Sequence, residues 1–102
     1  MKYQYEKRVM PGYDTYFIND DVGELIFGNE ELRRAHKEGK IVCIFETALG
    51  FHAFYHVNDC TITKFLTLSQ FEGGKPTTQL QIFNKDPKKR KKAFEILEEI
   101  LR

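Results

Sequence analysis

Polar and apolar positions alternate over residues 2 to 9, with Tyr3, Tyr5 and Val9 in step, and a two-residue period predicts a half-buried strand. Pro11-Gly12 interrupts it, since proline presets the first central position of a turn and glycine tolerates positive φ at the second. Residues 13 to 18 are aromatic and β-branched and read as a second strand, ending at Asn19-Asp20-Asp21. Residues 24 to 27 fit either a short strand or the approach to a helix. Asn29 to Glu38 reads as the first helix. Asn29 can cap its free amides, Glu30 and Glu31 sit at its positive end, Lys37 lies in the last turn and Gly39 closes it. Four strand-like runs follow, 41 to 48, 51 to 57, 60 to 71 and 77 to 84. They are separated by Leu49-Gly50, Asn58-Asp59 and Gly73-Gly74-Lys75-Pro76. The last helix begins with Asp86 as cap and Pro87 at its first position, and Phe94, Leu97, Ile100 and Leu101 recur on one face. The pattern predicts an α+β fold of order β-β-α-β-β-β-β-α. It is an antiparallel meander of five to six strands, with one helix inserted after the N-terminal strands and a C-terminal helix packed on the sheet.

Tight two-residue turns at Leu49-Gly50 and Asn58-Asp59 would set Cys43 opposite His56, and His56 opposite Thr61; opposed residues share a sheet face. One face then carries Val42, Ile44, Ala48, Phe51, Ala53, Tyr55, Val57, Ile62 and Leu66, interrupted by Glu46 and Lys64, and reads as the core that the helices cover. The other carries Cys43, Phe45, Thr47, His52, Phe54, His56, Thr61, Thr63 and Phe65. Such a mixture of rings, hydroxyls and imidazoles suits a pocket or an interface better than a dry core. A slip of one residue would exchange the faces.

Composition narrows the classes. The 102 residues, 41% hydrophobic and with nine Phe, are enough for one packed domain spanning 1–102 and too apolar for disorder. The opening residues carry no apolar stretch of the secretory kind, and no run approaches the ~18 residues of a membrane helix. Two cysteines without an export signal point to free thiols and a cytoplasmic location. The net charge is only +1, but it is unevenly spread. Between residues 9 and 32 stand Asp14, Asp20, Asp21, Glu24, Glu30 and Glu31 with no Lys or Arg, whereas residues 85 to 92 hold Lys85, Lys88, Lys89, Arg90, Lys91 and Lys92 against Asp86. The two segments either neutralise each other, within one fold or between two copies, or each meets an external partner.

The basic run opposes the helix dipole, because cations crowd the positive end while Glu95, Glu98 and Glu99 occupy the other half. Lys88, Lys89, Arg90, Lys91 and Lys92 are therefore candidate binding residues for an acidic protein surface or a phosphate backbone. No aromatic side chain lies among residues 85 to 93 to stack on a base, and the acidic early segment would repel phosphate. His52 and His56 stand about 13 Å apart if they lie four apart on a strand, too far for one metal ion, so neither a metal nor a cofactor is expected. Cys43 facing His56 would be a weak nucleophile–base pair, lacking a nameable third group or oxyanion donor. His36 sits among charges on a helix and reads as exposed. No phosphate loop, dinucleotide fingerprint or hydrolase elbow is present.

The sequence therefore points to a small non-enzymatic binding or regulatory module, an inhibitor or adaptor acting by protein–protein contact and forming a homodimer. Its candidate surfaces are the mixed face around His52, Phe54 and His56 and the basic helix start. The alternatives are an RNA- or DNA-binding protein using that helix start, and a small-molecule or hydrolytic site on the mixed face with Cys43 and His56 at its centre.

Overall fold

The computed structural model describes residues 5–19, 29–47, 52–68 and 76–100. They form β1 (Tyr5–Met10), β2 (Tyr13–Asn19), α1 (Asn29–Lys37), β3 (Val42–Glu46), β4 (His52–Val57), β5 (Cys60–Leu68), β6 (Pro76–Phe83) and α2 (Pro87–Ile100). The ambiguous residues 24–27 lie outside the described residues. The strands make one six-stranded antiparallel sheet in the order β1-β2-β6-β5-β4-β3, with both helices on one side, an α+β architecture as the sequence pattern predicts.

Local chemistry accounts for the turns. Gly12 takes φ +82° after Pro11, which lets β1 double back so that Met10 faces Tyr13. Asn58 and Asp59 both adopt positive φ, 50° and 62°, the signature of the hairpin turn whose twist matches its strands. α1 ends on Gly39 at φ +77°, with the Lys40 amide donating to the Ala35 carbonyl and the Gly39 amide to that of His36, so the last carbonyls are satisfied. α2 starts where Asp86 Oδ1 accepts from the Lys88 amide at 2.9 Å.

The core lies between the sheet and the helices. Leu32 and Ala35 of α1 and Ala93, Phe94 and Leu97 of α2 cover Tyr16, Ile18, Ala53, Tyr55, Ile62, Leu80 and Ile82. Phe94 stacks on Tyr16 with ring centroids 3.8 Å apart. Lys64, predicted on this face, is buried within it.

Two expectations about the sheet are corrected. By chain order the first strand and the last, 77–84, are equally candidates for an exposed edge, yet β6 is interior, paired on both sides by β2 and β5. The edges are β1 and β3. The second correction concerns register. Val42 pairs with His56 and Cys43 with Tyr55, but Phe45 pairs with Phe54 and Glu46 with Ala53, so Ile44 is an extra residue in β3. This bulge exchanges the faces at the start of the strand. Cys43 packs toward the helices, while Val42 is 54% exposed and Ile44 60% exposed, outside the core assigned to them.

Candidate functional site on the open sheet face

Each face of a strand carries every second residue, so the register assigns the side opposite the helices row by row. Met10, Tyr13, Phe83, Thr61, His56 and Val42 form one row across all six strands. Arg8, Thr15, Gln81, Thr63, Phe54 and Phe45 form the second. Glu6, Phe17, Gln79, Phe65 and His52 form the third. No described helix lies over these rows.

Rings dominate this face and touch one another. Tyr13 stacks on Phe83 at 5.1 Å between centroids, Phe45 meets Phe54 at 6.2 Å, and His52 lies 4.9 Å from Phe54 and 4.3 Å from Phe65. The Arg8 guanidinium sits 5.0 Å from the Phe17 ring centre and 3.2 Å from the Glu6 carboxylate. Thr63 Oγ1 donates to Gln81 Oε1 at 3.3 Å, holding the centre of the middle row. Met10, Val42, Phe45 and Phe83 each keep more than a third of their surface in solvent. The His52 Nε2 atom is buried without a hydrogen-bond partner among the described residues.

The sequence anticipated the β4 and β5 part of this face, with His52, Phe54, His56, Thr61, Thr63 and Phe65 on it, and Phe45 beside them. It missed Met10, Tyr13, Phe17, Gln79, Gln81 and Phe83. The alternation of Leu80 and Ile82 with Gln79 and Gln81 carried part of the signal, but only the β2–β6 pairing joins it to the rest.

Cys43 does not join this face. Its thiol lies on the helix side opposite Tyr55, and His56 is exposed on the other side, so the thiolate–imidazolium pair cannot form. Burial, and then the Glu46 charge, push the Cys43 thiol up from its ordinary value and keep it protonated. Cys60 is also free, buried, and shifted up by burial and then by Asp59.

The basic helix start is divided by the fold. Arg90 is buried, its Nε 3.2 Å from Asp14 Oδ1, and its Nη1 donates to the Asn84 carbonyl at 2.6 Å. It is not available to an external anion. One residue of the acidic segment thus neutralises one of the basic run inside the chain. Lys89 reaches Asp59 at 3.2 Å on the surface, and its carbonyl accepts from Asn58 Nδ2. Lys88, Lys91 and Lys92 are exposed.

His36, exposed on α1, faces the β3 edge. Its Nδ1 accepts from the Cys43 amide at 3.2 Å and lies 3.3 Å from the Ile41 carbonyl, while Arg33 pairs with Glu46. The helix thereby occupies an outward backbone donor that an added strand would use.

No protein-family model, curated protein or solved structure matches the chain. No described helix is long and apolar enough to cross a membrane.

Proposed function

We propose that the protein is a small non-enzymatic binding module, a regulator of the inhibitor or adaptor kind, which engages protein through the open face of its sheet. One observation carries this reading: the face spans six strands, is rich in rings, and holds Glu6 and Arg8 as its charged pair. Interface centres are depleted in charge and enriched in aromatics, methionine and arginine, and an apolar sheet face over which no described helix lies fits an interaction surface. Sheet strands hold these rings in fixed positions, so little side-chain entropy is lost on docking. A nucleic-acid reading has less support, since Arg90 is spent on Asp14, Lys89 on Asp59, and the face itself offers no net positive charge to phosphate. A hydrolytic reading loses its nucleophile–base pair. Two free thiols accord with a reducing, cytoplasmic setting.

The test is capture from native lysate by the tagged wild-type chain, by Phe54→Glu and by Lys88→Glu/Lys91→Glu, each with and without nuclease. Proteins captured stoichiometrically in both nuclease conditions, lost with F54E and retained with the lysine variant, support the proposal. Capture that ignores F54E but vanishes with nuclease or with the lysine variant overturns it in favour of nucleic acid.

A further inference from the structure

We propose that the open face is occupied by a second copy of the same chain, packed sheet on sheet about a twofold axis parallel to the strands. This rests on the reading of that face as a protein interface and names its occupant. Strands ~4.8 Å apart and side chains repeating every ~6.6 Å spread these rows, two of six residues and one of five, over roughly 540 Å² per copy. Two copies would bury about 1,100 Å², just above the ~1,000 Å² that separates biological interfaces from incidental contacts and at the weak end of the range. The occupant must also accept a nearly uncharged, ring-rich surface, and the chain itself presents one.

Charge selects the axis. A twofold running across the strands would lay each column on itself and bring Arg8 against the partner copy's identical arginine. A twofold along the strands, passing between β6 and β5, reverses the column order. Each Arg8 then falls on the other copy's Phe45, and Met10 on Val42, so a guanidinium meets a ring and the apolar edges meet each other. Aligned sheets cross at about −30°, which displaces the edge columns by no more than an arginine can reach. Strand addition at the β3 edge is disfavoured, because its outward Cys43 amide is taken by His36 and its bulge breaks the ladder.

Sedimentation equilibrium of the full chain from about 1 to about 300 µM tests this, over the range where an interface of this size half-associates. The expected result is a monomer–dimer equilibrium. Phe45→Lys, facing the other copy's Arg8, and Arg8→Glu alone should each weaken it at least tenfold, and the double variant R8E/F45K should restore it within about threefold, because the charges now pair across the axis. Arg8 and Phe45 are both exposed, and circular dichroism of each variant confirms folding. A chain that stays monomeric throughout, or a dimer indifferent to these substitutions, overturns the self-pairing. If the lysate capture by Phe54 survives that outcome, the face remains an interface with a different protein; if capture fails too, the function reading falls with it.

Discussion

Replacing Arg90 by methionine separates structure from surface within the run Lys88–Lys92. Methionine keeps most of the aliphatic stem and removes the guanidinium, so the cavity term stays small. Two interactions disappear. The Asp14 carboxylate, whose side chain is 4% exposed, loses the cation 3.2 Å away, and the Asn84 carbonyl loses a donor at 2.6 Å. Stranding one partner of a buried ion pair costs about 3–5 kcal/mol, and losing a hydrogen bond to a charged group about 1.5–3 kcal/mol. The two losses share one side chain and are not additive, so about 3–5 kcal/mol is expected for R90M. A domain of this size holds only about 5–15 kcal/mol in all. With a urea slope of about 1.5 kcal/mol/M, the midpoint should fall by about 2–3 M. Lys91→Met, one residue on and exposed, should move stability by no more than about 0.5 kcal/mol. Replacing both members, Asp14→Leu with Arg90→Met, should recover most of the loss, because no charge is then left buried alone. Urea unfolding followed by circular dichroism reads all of these. Equal midpoints for R90M and K91M would refute the buried pair and return Arg90 to the helix surface.

Other outcomes follow from the same geometry. Asn58→Ala should cost about 2 kcal/mol, since alanine at φ 50° is strained by about 1–2 kcal/mol and the bond to the Lys89 carbonyl is lost; thermal unfolding reads the shift. Burial, and then Asp14 for Tyr16 or Glu46 for Tyr55, raise both phenols above their ordinary range. The unfolded chain releases these protons near pH 10 and the folded chain keeps them. Stability is therefore whole below about pH 10 and lost above it, by about 1.4 kcal/mol per unit for each phenol. Urea midpoints at pH 9, 10 and 11 check the slope, and Tyr55→Phe should flatten it. The Cys43 thiol should react with iodoacetamide at pH 7.5 more slowly than free cysteine, by mass-spectrometric rate, because its raised value leaves little thiolate. Fast labelling would revive a nucleophilic role for it.

The open face and the buried ion pair are linked through β2. Residues Asp14 and Tyr16 point to the helices while Tyr13, Thr15 and Phe17 point away, so the strand that anchors α2 also carries one column of the ring-rich surface. A variant that loosens the Asp14–Arg90 contact therefore disturbs the binding face indirectly. Binding tests belong on exposed positions such as Phe45 and Arg8, where stability and association separate.

Sequence alone determined what is local. Gly39 closed one helix and Asp86-Pro87 opened the other, because capping and left-handed closure depend on a few adjacent residues. Pro11-Gly12 and Asn58-Asp59 specified their turns through the φ values they tolerate. In β4 and β5 the alternation was strong enough to sort Ala53, Tyr55 and Ile62 from His52, Phe54 and Thr63, so half of the candidate site was legible. Tertiary structure decided the rest. The stretch Val42-Cys43-Ile44-Phe45 is apolar throughout and carries no period, so nothing in it encoded the extra residue that turns Cys43 away from His56. The pairing of β2 with β6 spans some sixty residues of chain, and it alone brings Tyr13, Phe17 and Phe83 onto the face with Phe54. A run of cations is equally silent about which of them the helix turns inward. At Arg90 the angular position on α2 and the arrival of Asp14 from β2 settled it, and both are consequences of packing.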